Sequence, residues 1–215
     1  MLPAIPRLSA ARLAQERLPA ADEDVHFPEA LAEAVITGLT HVGATVLDPF
    51  AGYGTTLAVS ERLGRRAVGI ELLGERVALI RARLHDGAAV RQGDARHLAD
   101  LDLPPVDLCL TSPPYMSLVD HLDNPLTGYA TRDGHYPTYL GELTAVFVAV
   151  RALLRPGGCI AVNVADVVDG AVVTPLVADL RAALEPHLGP ADEVALVWDR
   201  PPAGISGDTL LVYPT

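Results

Sequence analysis

Short apolar segments that alternate with helical patterns are the feature that most constrains how this chain can fold. The first apolar segment, residues 45–47, runs into a turn at residues 48–54 and then into a helical pattern over residues 57–63. Strands that alternate with helices in this way are typical of a parallel sheet with helices on both faces. The chain is therefore expected to be an α/β protein. Three more strand signals follow, at residues 65–71, 88–91 and 106–110.

The second half of the sequence completes this sheet. Helical patterns over residues 139–154 and 174–184 flank a strand at residues 159–164, and Pro186 is expected to end the second of these helices. We therefore predict a doubly wound sheet of seven strands, most of them parallel. Two further strand signals predict an antiparallel hairpin at the C-terminus, residues 193–198 and 209–212.

The sequence divides into an N-terminal arm, residues 1–24, and one domain, residues 25–215. The arm repeats an arginine-leucine pair at a spacing that fits neither a helix nor a strand well, so we expect one marginal helix in it. We expect the arm to pack on the domain or to form an oligomer contact, as in a homodimer. A helix over residues 29–39 precedes the first strand.

Composition excludes some classes of protein. No apolar run is long enough to span a bilayer, and residues 1–20 carry no signal pattern, so we expect a cytoplasmic enzyme. Cys109 and Cys159 each lie inside an apolar strand signal, which favours buried, reduced thiols over a disulfide or a metal site. A net charge of -11 opposes binding to a phosphate backbone unless a local basic patch or a partner supplies the phosphate contacts.

The turn after the first strand has the composition of a cofactor cradle. Gly52 and Gly54 permit a tight backbone and close approach by a ligand, and Thr55 or Thr56 can cap the following helix. The third glycine of the dinucleotide fingerprint is missing, with Thr56 or Leu57 about where it would fall, which argues against a nicotinamide cofactor. The alternative is an ordinary turn after a strand.

Two acids follow the next two strands, where a nucleoside cofactor would need them. Glu71 ends the second strand. Its distance along the sequence from the glycine turn is about that at which a carboxylate binds ribose hydroxyls in a doubly wound fold. Asp94 ends the third strand, and we expect it to accept a hydrogen bond from an adenine amino group. The alternative for each acid is a solvated loop carboxylate or a helix cap.

A proline pair emerges at the carboxyl end of the strand at residues 106–110. Proline fixes its own φ, lacks an N–H and holds the preceding residue extended, so Ser112 to Pro114 should form a stiff stretch with unpaired carbonyls. Carbonyls and the Ser112 hydroxyl can accept the hydrogens of a planar amine while Tyr115 covers the ring face. The alternative is a proline turn that closes a strand.

Residues 116–139 follow the proline pair and contain no long periodic pattern. A stretch of this length is typical of a lid or substrate loop, and its alternative is a mobile loop whose tyrosines pack for stability. We predict substrate contacts from Asp120 and His121 in this loop. Asn163, at the end of the fifth strand, points to the same edge of the sheet, and structural capping is its alternative role.

Two of these motifs, residues 48–56 and 111–115, resemble the cofactor and catalytic motifs of the DNA amino-methyltransferase family, the N6-adenine and N4-cytosine enzymes. The likeness extends over about residues 25–166 and includes softer matches at residues 26–29 and 154–158. The resemblance implies a class I, Rossmann-like methyltransferase fold, S-adenosylmethionine as the cofactor, and catalytic roles for Ser112, Pro113, Pro114 and Tyr115. The predicted cofactor contacts are Phe27, Pro28, Asp48, Phe50, Ala51, Gly52, Gly54, Thr55, Thr56, Glu71, Asp94, Ala95 and Thr111.

The resemblance also implies a substrate, the exocyclic amine of a nucleobase in DNA. Serine before the proline pair, where adenine enzymes more often carry an acid or asparagine, favours N4-cytosine over N6-adenine. The alternative is an amino-methyltransferase of RNA, a peptide or a small molecule, which the acidity and the lack of an evident target-recognition region favour. A non-catalytic cofactor-binding module would require a disabled motif, and both motifs are intact.

Overall fold

A computed structural model describes residues 3–18, 27–118 and 123–215, except the side chain of Ala88. The helices are α1 (Ala10–Glu16), α2 (Glu29–Leu39), α3 (Thr55–Arg62), α4 (Gly74–Arg83), α5 (Tyr136–Leu153) and α6 (Leu176–Leu188). The strands are β1 (Thr45–Asp48), β2 (Arg66–Glu71), β3 (Val90–Gln92), β4 (Val106–Thr111), β5 (Leu154–Asp169), β6 (Val172–Thr174), β7 (Asp192–Ala195) and β8 (Ile205–Pro214). Short 3-10 helices span Gly87–Ala89, Ala95–Asp100 and Pro125–Thr127.

The strands form one sheet in the order β3-β2-β1-β4-β5-β8-β7, and β6 pairs with β5 off this path. The first five strands pair in parallel, whereas β8 is antiparallel to both β5 and β7. The predicted doubly wound, mostly parallel sheet and its C-terminal antiparallel hairpin are confirmed. The described sheet has one strand more than the predicted seven because the end of β5 folds back into the short β6.

Both faces of the sheet are covered, and successive side chains of the central strands alternate between them. Leu47 and Cys109 pack in the core layer that contains Phe147 of α5. Val46 and Leu108 pack in the opposite layer, against helix α2 and its neighbours. The sheet is therefore buried on both sides, and its two cysteines are buried free thiols, as predicted. The open edge at the carboxyl ends of the strands remains for a ligand.

Two helix boundaries differ from the predictions. Helix α5 begins at Tyr136 because Pro137 fits the first turn, where its missing N–H costs no hydrogen bond. The prediction that Pro186 ends α6 is wrong: the helix continues to Leu188, which is buried at the spacing of the buried Leu184 and Leu180. Burial of one more leucine outweighs the single backbone bond that proline removes near a helix end. None of the helices in the described ranges has the length and apolar character needed to cross a membrane.

The described part of the N-terminal arm packs on the far end of the sequence. Leu8 and Leu13 are buried, and the backbone of Leu8 pairs with residues on either side of Trp198. The N–H of Leu8 donates to the carbonyl of Val197 at 2.7 Å, and the N–H of Asp199 donates to the carbonyl of Leu8 at 2.9 Å. The arm is therefore fastened beside the β7 to β8 connection.

The turn between β1 and α3 requires glycine at Gly54. This residue has a φ of 78°, in the left-handed region, and its N–H donates to the carbonyl of Ala51 at 2.7 Å. A Cβ at this position would lie 2.9 Å from Cγ2 of Ile80 on α4. Both the backbone conformation and the packing of α4 therefore exclude a side chain here.

We expect Gly54→Ala to lower the free energy of unfolding by about 1–3 kcal/mol, because alanine must adopt a left-handed conformation in a crowded site. Urea unfolding followed by circular dichroism measures the change. Gly141→Ala is the matched control, since a Cβ at this exposed helical position meets nothing within 4 Å. It should raise the free energy of unfolding by about 0.5–1 kcal/mol through helix propensity. Equal effects of the two substitutions would contradict this reading of the turn.

Candidate active site

A cavity of about 650 Å³ opens at the carboxyl ends of β1, β2, β4 and β5. This is the edge where open α/β sheets bind ligands, and the volume is in the usual range for small-molecule sites. All four predicted catalytic residues and Asn163 line it. Ten of the predicted cofactor residues also line it: Phe27, Pro28, Asp48, Phe50, Ala51, Gly52, Thr55, Thr56, Glu71 and Ala95.

The carboxylate of Glu71 is fixed at one end of this cavity by backbone donors. Its Oε2 accepts the N–H of Gly52 at 2.8 Å, and its Oε1 accepts the N–H of Leu73 at 2.9 Å. The acid therefore links the glycine turn after β1 to the end of β2. Each carboxylate oxygen can accept more than one hydrogen bond, so ribose hydroxyls are suitable further donors. Leu72 and Leu73 add an apolar wall beside it.

Asp48 is a buried acid at the end of β1. Its Oδ1 accepts hydrogen bonds from the hydroxyl of Thr111 at 2.6 Å and from the N–H of Phe50 at 3.1 Å. Burial raises the pKa of Asp48 to about 6, although the bond from Thr111 acts in the opposite direction. Thr111 itself does not line the cavity. The structure gives it the role of holding Asp48 across two neighbouring strands.

Two other predicted cofactor residues, Gly54 and Asp94, also lie off the cavity wall. The carboxylate of Asp94 pairs with the guanidinium of Arg96 at 2.7 Å, and Arg96 reaches Glu142 of α5 at 3.0 Å. Burial raises the pKa of Asp94, but the hydrogen bonds and charge of Arg96 outweigh it and bring the pKa below its ordinary value. The predicted substrate residues Asp120 and His121 lie outside the described residues.

The proline pair after β4 presents one occupied and one open carbonyl. The hydroxyl of Tyr139 donates to the carbonyl of Pro114 at 2.9 Å. Within the described residues, no donor reaches the carbonyl of Pro113. Burial raises the pKa of the Tyr139 hydroxyl well above its ordinary value, so this donor stays neutral. We call residues 112–115 the proline ledge.

The hydroxyl of Tyr115 donates one hydrogen bond and accepts another, and the two fix the ring. The hydroxyl lies 3.2 Å from Oγ of Ser112 and donates to the backbone carbonyl of Asn163 at 3.4 Å. Since a tyrosine hydroxyl has one proton, Ser112 is then the donor to Tyr115. The oxygen of Ser112 keeps its acceptor capacity for a ligand. Burial raises the pKa of Tyr115, which keeps this chain of donors neutral.

The stretch at residues 116–139 is partly structured. The predicted loop ends too late, because α5 begins at Tyr136, three residues before the predicted start of that helix at residue 139. Tyr136 and Tyr139 are both buried. Leu126 and Tyr129 line the cavity, and Gly128 is packed against Leu73, whose Cδ2 lies 3.1 Å from where a Cβ would be. The part of the loop from residue 123 therefore covers the end of the cavity that contains Glu71.

Sequence reasoning missed the residues that close the opposite end. Trp198, Pro202, Ile205 and Asp208 line the cavity from the connection between β7 and β8 and from β8 itself. The available signal was the antiparallel hairpin, which returns its second strand beside β5 and so brings the start of that strand near Asn163. Tyr139 was missed as a partner of the proline ledge because the contact depends on how α5 packs against the end of β4.

Comparison with known proteins identifies the sequence family that this chain resembles. A DNA methylase family model, for N6 and N4 methyltransferases, matches residues 15–82. The type II methyltransferase M2.DpnII of Streptococcus pneumoniae is 47% identical over 57 residues, 26% of this chain and 21% of the relative. M.BamHI of Bacillus amyloliquefaciens is 57% identical over 42 residues, 20% of this chain and 10% of the relative. The chain thus spans less than a quarter of these relatives, and the predicted resemblance is confirmed over the matched residues.

Solved structures show the same fold over most of the chain. TrmN of Thermus thermophilus has a TM-score of 0.58 at 23% identity and covers 94% of this chain and 51% of its own. The 16S rRNA methyltransferase RsmC of Thermus thermophilus, in complex with AdoMet and guanosine, has a TM-score of 0.55 at 21% identity and covers 92% and 45%. The predicted class I methyltransferase fold is confirmed.

The raised pKa of Asp48 predicts a pH-dependent stability difference. Because the folded protein binds the Asp48 proton more tightly than the unfolded chain, this group favours folding at low pH, and the advantage is lost as pH rises from 3.8 to about 6. Relative to wild type, Asp48→Asn should therefore gain about 3 kcal/mol in free energy of unfolding between pH 3.5 and pH 7.5. Urea unfolding of both proteins at several pH values measures this, and a difference that is constant with pH would refute the assignment.

Proposed function

We propose that this chain transfers a methyl group from S-adenosylmethionine to the exocyclic amine of a nucleobase in DNA, with N4 of cytosine preferred over N6 of adenine. The observation that carries the proposal is the proline ledge. Its Pro113 carbonyl has no donor within the described residues, and the Ser112 oxygen beside it is set to accept. These are two acceptors at a stiff strand end, which suits an amine with two hydrogens.

The end of the cavity that contains Glu71 fits the cofactor. Glu71 is held by the backbone where ribose hydroxyls can donate to it, and Leu72, Leu73 and Leu126 provide an apolar wall for an adenine ring. The carboxylates of Asp48 and Glu71 give this end a negative potential that suits a sulfonium cation. When bound, S-adenosylmethionine supplies the activated methyl group.

The chain's own contribution to the reaction is orientation. The lone pair of an exocyclic amine is delocalised into the ring, so the nitrogen is a poor nucleophile. When Pro113 and Ser112 accept its two hydrogens, the nitrogen is drawn toward sp3 geometry and its lone pair is aimed at the methyl group. Fixed dipoles and alignment lower the barrier without a strong base, and the leaving proton passes to solvent.

Two features support DNA as the substrate. The family match is to DNA methylases, and Tyr115, the last residue of the ledge, lines the cavity where it can stack on a base that has been flipped out of a duplex. The serine at position 112 carries the preference for cytosine, because adenine enzymes of this family more often have an acid or asparagine there.

A second candidate substrate is an amine of RNA or of a small molecule. The net charge of -11 favours it, because an acidic protein repels a nucleic acid phosphate backbone. The solved structures that share the fold include an RNA methyltransferase in complex with guanosine. A steep loss of duplex binding with added salt would favour DNA, whereas no duplex binding at low salt would favour the small-molecule substrate.

Isotopic methyl transfer distinguishes these substrates. The protein is incubated with labelled S-adenosylmethionine and, in parallel, with duplex DNA, RNA and a small-molecule extract, and the products are digested and separated by mass spectrometry. We expect label in N4-methylcytosine from DNA. Label only in N6-methyladenine would overturn the base preference. Label only in RNA or in the extract would overturn DNA as the substrate.

Changes at Tyr115 should separate acceptor binding from cofactor binding. We expect Tyr115→Ala to raise KM for the methyl acceptor about 5- to 150-fold, as stacking on one base implies, and to leave the dissociation constant of S-adenosylhomocysteine within about twofold. Tyr115→Phe keeps the ring but breaks the hydroxyl chain from Ser112 to Asn163, so it should lower kcat more than it raises KM. Equal damage by Tyr115→Ala to both ligands would contradict the stacking role.

A further inference from the structure

The end of the cavity beyond the proline ledge is built from residues that the DNA methylase match does not cover. We call Asn163, Trp198, Pro202, Ile205 and Asp208 the hairpin subsite, because four of them come from the β7 to β8 hairpin. The family match ends at residue 82. The hairpin subsite is therefore a feature of this chain's own C-terminal part.

Asp208 organises this subsite. Its Oδ1 accepts a hydrogen bond from Nδ2 of Asn163 at 2.6 Å, and its Oδ2 accepts one from Nε1 of Trp198 at 2.7 Å. The carboxyl is partly buried, and desolvation raises its pKa while the two N–H donors act in the opposite direction. A partly buried acid with a donor on each oxygen is a positioning group, since both oxygens are already engaged with neighbouring side chains.

The amide of Asn163 has a defined orientation. Its Nδ2 donates to Asp208 and also to the backbone carbonyl of Thr209 at 3.2 Å. Both partners are acceptors, so the NH2 group must face them. The carbonyl oxygen Oδ1 is on the other side of the amide, and no donor from the described residues reaches it. Because Asn163 lines the cavity, Oδ1 is a fixed acceptor for a ligand.

Trp198 is held from three directions. Its indole N–H is engaged by Asp208, and the residues before and after it are hydrogen-bonded to the backbone of Leu8. The half-buried ring packs against the core beneath the sheet and still lines the cavity. With its only polar group occupied, the ring offers a ligand an apolar aromatic surface. Pro202 and Ile205 extend this surface.

We propose that the hairpin subsite binds the planar heteroaromatic ring of the methyl acceptor, with Trp198 as the aromatic contact and Asn163 beside the ring edge. The inference rests on the proposed function, in which the ledge receives the amine of the same ring. Asp208 is a positioning residue that acts through the other two. The subsite favours an aromatic ring over an aliphatic amine, because Trp198, Pro202 and Ile205 offer it an apolar surface.

Tryptophan fluorescence measures binding at this subsite directly, because Trp198 is the single tryptophan in the sequence. Deoxycytidine, titrated in the presence of S-adenosylhomocysteine, should quench the tryptophan fluorescence with saturation. S-adenosylhomocysteine alone, or the non-aromatic amine cyclohexylamine, should leave most of the emission unchanged. Absence of quenching by deoxycytidine, by deoxyadenosine and by deoxyguanosine would overturn the inference. Equal quenching by S-adenosylhomocysteine alone would also overturn it, because the cofactor would then lie on Trp198.

Substitutions separate the subsite from the rest of the enzyme. Trp198→Ala should raise KM for the methyl acceptor at least about fivefold and leave the dissociation constant of S-adenosylhomocysteine, measured by calorimetry, within about twofold. Trp198→Phe should recover most of the loss because it keeps an aromatic ring. Asp208→Asn should raise KM and shift the emission maximum of Trp198, since one of the two bonds to the carboxylate is lost.

Val197→Ala is the matched control, since this side chain is exposed next to Trp198. It should change neither KM for the methyl acceptor nor the dissociation constant of S-adenosylhomocysteine. Methyl transfer that Trp198→Ala leaves unaffected would overturn the hairpin subsite and leave the proposed function intact. Failure of the wild-type protein to methylate any nucleobase would instead overturn the proposed function.

Discussion

The hydrogen bond from Thr111 to Asp48 is the interaction on which both halves of the site depend. It joins the carboxyl ends of β4 and β1, and the proline ledge begins one residue after Thr111, while the glycine turn begins one residue after Asp48. The 2.6 Å bond thereby fixes the proline ledge relative to the glycine turn. Alignment of reacting groups is sensitive to small displacements, so a buried carboxyl is tolerated here despite the cost of its desolvation.

The cavity is specified by different means at its two ends. Around Glu71 the backbone defines the site, because the N–H groups of Gly52 and Leu73 fix the carboxylate. Around Asp208 side chains define it, because an indole and an amide are held by one acid. Backbone-defined sites tolerate many sequences and suit a cofactor shared across a fold. Side-chain-defined sites change with single substitutions, which suits an end that selects the acceptor.

Sequence reasoning succeeded where the determinants are local. The turn at Gly54 and the stiff backbone at Pro113 follow from the intrinsic geometry of glycine and proline, and buried parallel strands follow from their apolar runs. It failed where contacts over long sequence separations decide. The bond from Tyr139 to Pro114 depends on how α5 packs, and the place of Trp198 depends on the pairing of β8 with β5. One local contact was also missed, since the pairing of Asp94 with Arg96 arises within one turn and engages the carboxylate that was expected to face a ligand.

The fastening of the arm beside Trp198 has a consequence for how the molecule opens. The glycine turn and Glu71 are 19 residues apart in the chain, whereas the bond from Ser9 to Asp199 joins residues 190 apart. Partial detachment of the arm would loosen the wall around Trp198 while the Glu71 end stays assembled, so the protein could retain its cofactor as it exchanges acceptors. Native-state hydrogen exchange measures the opening free energy at the amides of Leu8 and Gly52. Separate opening of the arm predicts two different values, and a single shared value would exclude separate opening.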